Sequence, residues 1–307
     1  MYEPTRTSCY DPRMHSGIVS VGNAKGGVGK TSIVANIAGI AAVAGWEVLA
    51  IDLDPQGNLA TDLGYTKHPE NDRGRSIAAG IKNGTPLRVI ERIRAGLDVV
   101  PGGPEFTSVL ALLEQSPGIL TRLIDPIAEN YDLVLIDCPP AGGPVVDAAL
   151  IASKWLVVPV RADAASLDGL QMIARRFAPI RRSLNPDLEL LGIVLFDFAR
   201  NATSILRHVR ELLEADLGGV APILPGPIRR SERSAFDMRR AGLLAHEYEE
   251  QFLEAESVPL SERIAASRAG KPTPRYSKSA PGLASDYLHL ANAVLARINA
   301  HEPMTAR

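Results

Sequence analysis

The sequence predicts an α/β fold, a doubly wound and mostly parallel sheet flanked by helices. Three observations carry this. Short apolar runs recur at Ile18–Val21, Val48–Ile51, Leu97–Val100, Leu133–Ile136, Trp155–Val160 and Leu190–Phe196, with a shorter one at Pro222–Leu224. They lack the apolar–polar alternation of a half-exposed strand, so they read as strands buried on both faces. A helix-like segment follows each, and the polar motifs fall just after strands, where such sheets bind ligands.

Taken in order, residues 1–16 are polar, contain no apolar signal segment, and read as a flexible tail. Ile18–Val21 leads into AKGGVGKTS at residues 24–32, and the apolar SIVANIAGIAAVAG that follows reads as a helix. Strand, glycine-rich turn and helix together let backbone N–H groups and a helix N-terminus hold phosphates. Gly26, Gly27, Val28 and Gly29 form the turn, Lys30 reaches the terminal phosphates, and the Thr31 hydroxyl binds Mg²⁺, with Ser32 beside it. The general pattern GxxxxGK[ST] has Ala24 where its first glycine belongs, and it gains a second lysine, Lys25.

The second strand ends in IDLDPQGN, residues 51–58, where Asp52 and Asp54 alternate about Leu53 and so point differently. Leu133–Ile136 ends in Asp137, the arrangement expected of a strand-terminal carboxylate bound to Mg²⁺ through water. Each motif alone has a plainer reading, as a structural turn or a helix cap. Three in order, each after a strand, make a nucleotide site. After about residue 240 the composition shifts: residues 246–256 are acidic and 267–282 read as a loop. Leu283, Tyr287, Leu290, Val294 and Ile298 then recur near helical spacing, a closing helix packed back on the sheet.

The bulk properties narrow the classes. A net charge of −2 over 307 residues excludes a global basic field, so any nucleic-acid contact needs a local patch. The two cysteines, Cys9 in the tail and Cys138 after Asp137, suggest no structural disulfide and a reducing compartment. No apolar run reaches the length of a membrane span, and the expected location is cytoplasmic.

KGGVGKTS with Lys25, the DPQGN segment and the IDCPP segment resemble the ParA/Soj partition ATPases, deviant Walker A members of the P-loop NTPases. The resemblance runs from about residue 17 to residue 300. It includes VPGGPEF (100–106), LFDFARNAT (196–204), PIRRSERSAF (227–236) and the closing RYSKSAPGLASDYLHLANAVL. It implies one ATPase domain over 17–300, a tail at 301–307, and ATP hydrolysis with weak basal activity. By position, Lys25 reaches across a dimer to the partner subunit's nucleotide, and Lys30 and Thr31 bind phosphate and Mg²⁺. Asp54 positions the attacking water, Asp52 and Asp137 support Mg²⁺, and Pro225 with its neighbours holds adenine.

The resemblance further implies an ATP-dependent homodimer that binds DNA non-specifically on the nucleoid, avoids membranes, and is released when a ParB-like centromere-binding protein stimulates hydrolysis. With only about 17 residues before the first strand, no N-terminal helix-turn-helix domain is expected. The basic segment RRSERSAFDMRR at 229–240 supplies Arg229, Arg230, Arg233 and Arg240 as DNA candidates, extended by Arg200, Arg207 and Arg210. The plainer reading is a solvated helix face. An acidic, helix-like insertion near 241–270 departs from the compact relatives. A MinD-like membrane-cycling ATPase or a positioning ATPase for a protein cargo shares the site chemistry. The first needs an amphipathic anchor, for which the terminal HEPMTAR is poor.

Overall fold

A computed structural model describes residues 17–140, 142–161, 163–198, 222–258, 262 and 279–300. The expected tails, Cys9, Arg200, Arg207, Arg210 and residues 267–278 of the expected 267–282 loop lie outside them, while Pro281 and Gly282 of that loop already belong to the closing helix. The described strands are β1 (Ile18–Val21), β2 (Val48–Asp52), β3 (Ile90–Arg94), β4 (Leu97–Val100), β5 (Leu133–Asp137), β6 (Trp155–Val160), β7 (Glu189–Phe198) and β8 (Ile228–Arg229). The helices are α1 (Lys30–Val43), α2 (Leu59–Asp62), α3 (Arg75–Asn83), α4 (Leu110–Gln115), α5 (Ile119–Ala128), α6 (Pro144–Ala152) and α7 (Ala164–Ser183), then α8 (Glu232–Ala241), α9 (Ala245–Ser257) and α10 (Pro281–Ala300).

The strands form one eight-stranded sheet in the order β3-β4-β2-β5-β1-β6-β7-β8. Every pairing is parallel except β3 with β4. β1, β2, β5 and β6 are buried along their whole length, as their unbroken apolar runs require. Apolar side chains then fill a layer on each face. One lies under α1, α9 and α10, the other under α3 to α7.

The structure corrects the strand reading at two edges. β3 is an extra, antiparallel strand in which Glu91 and Arg92 are exposed, so it carries no apolar run. Pro222–Leu224 makes one bridge, Ile193 with Ile223, and strand pairing resumes only at β8. Pro222 and Pro225 flank that bridge, and proline cannot donate to a ladder.

α1 is the central helix. Asn36 is the polar interruption in its apolar run. Its Nδ2 donates to the Ser32 carbonyl at 2.8 Å, and its Oδ1 accepts the Ala245 amide at 2.9 Å. That bond seats the start of α9 on α1. A Cβ at Gly39 would lie 2.1 Å from Leu244, so the glycine makes room for that side chain. Leu244, Ala245 and Tyr248 are buried, and α9 packs on α10. The first half of the expected insertion is therefore a core element.

Candidate active site

The sheet register assembles the site. Asp137 stands level with Val21 on one side and with Asp52 on the other, so the glycine turn and two carboxylates meet at the carboxyl ends of β1, β2 and β5. Asn23 pins the start of the turn. It is buried, its Nδ2 donates to the Pro159 carbonyl at 2.7 Å, and its Oδ1 accepts the Lys25 amide at 2.8 Å. Gly27 and Gly29 have φ of 73° and 83°, a region that glycine enters without strain. Gly29 is also covered by the Phe196 ring, which a Cβ there would approach to 2.2 Å.

The two lysines of the turn divide. Lys30 is buried, and its Nζ donates to the Lys25 carbonyl at 3.0 Å. Burial lowers its pKa, while Asp137, Cys138 and Asp54 favour the charged form. The Lys25 side chain is exposed.

The carboxylates divide as well. Asp52 accepts the Asp54 amide at 2.8 Å and the Leu59 amide at 3.2 Å, so it shapes the loop that follows it. Asp54 is nearly buried and accepts the Gln56 amide at 2.9 Å. Both Asp137 oxygens are buried without a hydrogen bond of normal geometry among the described residues. Burial, and then the charge of Asp52, pushes Asp137 well above the usual carboxylate range. The nearby Thr31 hydroxyl and Lys30 oppose that shift. Burial likewise raises Asp52, to about 7. An orphaned carboxylate, a second acid beside it and a hydroxyl fit a hard divalent cation such as Mg²⁺. Sequence assigned Asp52 and Asp137 one shared role. The structure engages Asp52 with amides and leaves Asp137 open. Cys138 is inert: burial pushes its thiol up to about 12.

On the other side of β1 a cleft of about 250 Å³ opens between α1, β7, β8 and α8, lined in part by Ser32, Phe196, Asp197, Met238 and Tyr287. The Ser32 hydroxyl donates to Asp62 at 2.8 Å and is thereby turned from the phosphate turn. Pro225 is exposed, in the turn before β8, and does not line this cleft.

The arginine candidates part company. Arg229 grips Asp286 of α10 through Nε at 2.6 Å and Nη2 at 2.8 Å. Arg230 shares the Asp197 carboxylate with Arg161, at 3.2 Å and 2.6 Å. Arg233 and Arg240 are exposed on α8. Sequence could not show that Arg229 is tied to a carboxylate 57 positions away. It also missed Asn23, Asp62, Arg161 and Arg239. Only Asn23 carries a local signal, an Asx side chain able to accept the amide two residues on.

The AAA domain family matches residues 16–190. The chain is 33% identical over 228 residues to the chromosome partitioning protein ParA of Myxococcus xanthus, covering 71% of this chain and 78% of that one. It is 32% identical over 220 residues to the chromosome-partitioning ATPase Soj of Thermus thermophilus, covering 71% and 84%. Among solved structures, an ATP complex of Cyanothece McdA carrying a D38A substitution superposes with a TM-score of 0.69 at 19% identity, over 91% of this chain and 96% of that one, a likeness of fold.

Proposed function

The chain belongs to the ParA/Soj partition ATPases of the AAA domain family, and we propose that its ATP-bound form is a homodimer that holds DNA non-specifically and lets go on hydrolysis. The observation that carries this is the division between Lys30 and Lys25. Lys30 is turned into its own loop, and Lys25 is left exposed beside it. An exposed lysine on a phosphate turn suits a nucleotide held by a second copy, which makes the complete site depend on dimerisation.

In this reading the amides of Gly26 to Thr31 and the Lys30 ammonium hold the phosphates of ATP. Thr31 and Asp137 hold Mg²⁺, which when bound supplies charge neutralisation at the phosphates. Asp54 orients the attacking water, and Asp52 keeps the Asp54 loop in place through its amide bonds. Phosphoryl transfer is mostly positioning and charge stabilisation, so a lysine arriving in trans changes its rate. Arg233 and Arg240 supply DNA contact, with a ParB-like protein as the activating partner.

Binding to random-sequence DNA and to anionic liposomes, each with ATP and with ADP, tests the reading. DNA binding that needs ATP, with no liposome binding, is expected. Liposome binding without DNA binding would move the chain to the membrane-cycling class.

A further inference from the structure

We propose that Arg239 is a positioning residue for ATP hydrolysis. From the basic helix α8 it holds the loop that carries Asp54.

The connections are short and convergent. Asp54 lies in the segment between β2 and the one-turn helix α2. Arg239 meets both ends of α2. Its Nε pairs with Asp62 at 2.8 Å, and its Nη2 donates to the Asn58 side chain at 3.2 Å. Asp62 is 6% exposed and also accepts the Ser32 hydroxyl, on the first turn of the phosphate-binding helix. Leu59, inside α2, donates its amide to Asp52. One guanidinium therefore reaches α1 through Asp62, and the Asp52–Asp54 segment through Asn58 and its neighbour Leu59.

α2 and α8 are also joined at their far ends. Gly64 and Gly242 are in such close contact that a Cβ on Gly242 would lie 2.4 Å from the Gly64 Cα. Arg94 clips the same junction, with Nη1 on the Leu63 carbonyl at 2.9 Å and Nη2 on the Gly242 carbonyl at 3.0 Å. Its Nη2 also donates to Glu247 at 2.8 Å. With α2 held by α8 at both ends, a shift of α8 is passed to the Asp54 loop. α8 also displays Arg233 and Arg240, so whatever meets those arginines acts on the same body that positions the water.

This inference rests on the hydrolytic role of Asp54, and the test separates the two. ATP hydrolysis is measured for Arg239→Met, Arg239→Lys, Asn58→Ala and Asp54→Ala, with affinity for a fluorescent ATP analogue measured in parallel. Arg239→Met should lower kcat about ten- to hundredfold, the scale of a misplaced loop, with affinity within about twofold and the circular dichroism of the wild type. Arg239→Lys, which can keep the Asp62 pair but not the second contact, should fall between. Asn58→Ala removes only the loop contact and should lower kcat even if Arg239→Met does not fold. In combination with Arg239→Met it should add nothing further. Unchanged kcat in folded Arg239→Met, or in Asn58→Ala, overturns the inference, as does a loss confined to affinity. An active Asp54→Ala would overturn the site reading itself. An inactive Asp54→Ala beside a fully active Arg239→Met would overturn the inference alone.

Discussion

Asp137→Asn should abolish ATP hydrolysis and yet stabilise the protein when Mg²⁺ is absent. Asp137 and Asp52 stand level on neighbouring strands, which places their backbones about 4.8 Å apart. Neither is exposed, and the Asp137 oxygens have no hydrogen bond of normal geometry among the described residues. Keeping both charged without a cation is costly, and the folded protein can escape that cost by taking up a proton. The escape sets a ceiling. Protonating a carboxyl whose ordinary pKa is 3.8 costs at most about 6 kcal/mol at pH 8 and about 2 kcal/mol at pH 5.

The sign follows from a folded-state pKa raised above the unfolded one. The penalty is absent below the unfolded pKa, grows as pH rises, and levels off above the folded pKa. Wild-type protein in chelator should therefore lose stability from pH 5 to pH 8. Asp137→Asn should be more stable than wild type by about 2–4 kcal/mol at pH 8 and by under about 2 kcal/mol at pH 5. Urea unfolding in chelator at the two pH values measures both gaps. Mg²⁺ with nucleotide should then stabilise wild type far more than the variant. A variant no more stable than wild type at pH 8, or an equal gain at both pH values, would refute the argument.

On the proposal that the exposed Lys25 serves the nucleotide of a second copy, Lys25→Ala should bind ATP as wild type does but stay monomeric with ATP, read by light scattering. Gly29→Ala combines a φ of 83° with a clash on Phe196. It should cost about 1–3 kcal/mol in urea unfolding, and adding Phe196→Ala should recover only the part due to the ring. Glu247 is held below the usual carboxylate range, because the Arg94 and Leu244 hydrogen bonds outweigh its burial. That stability is present above the unfolded pKa and is lost as pH falls through the folded one. Glu247→Gln should thus lose about 1–2 kcal/mol at pH 7 and differ little from wild type near pH 3, which a pH series of thermal melts would show.

The buried strands of the sheet, the phosphate turn, the strand-end Asp52 and Asp137 with Asp54 just beyond, and the closing helix are all legible along the chain. Their information is local: an apolar run can be buried on both faces only inside a sheet, and a glycine turn between strand and helix has one common use. Which of these groups remain available emerges only when the chain is folded. Asp52 and Asp137 look equivalent along the chain, but amides from the following loop engage only Asp52. Arg229, Arg230, Arg233 and Arg240 read as one patch, but distant carboxylates at Asp286 and Asp197 claim two of them. Arg239 was one more charge in a basic run until Asp62 and Asn58 were seen across from it. The availability of a charged group depends on its partners in space, and here those partners lie far away in the chain.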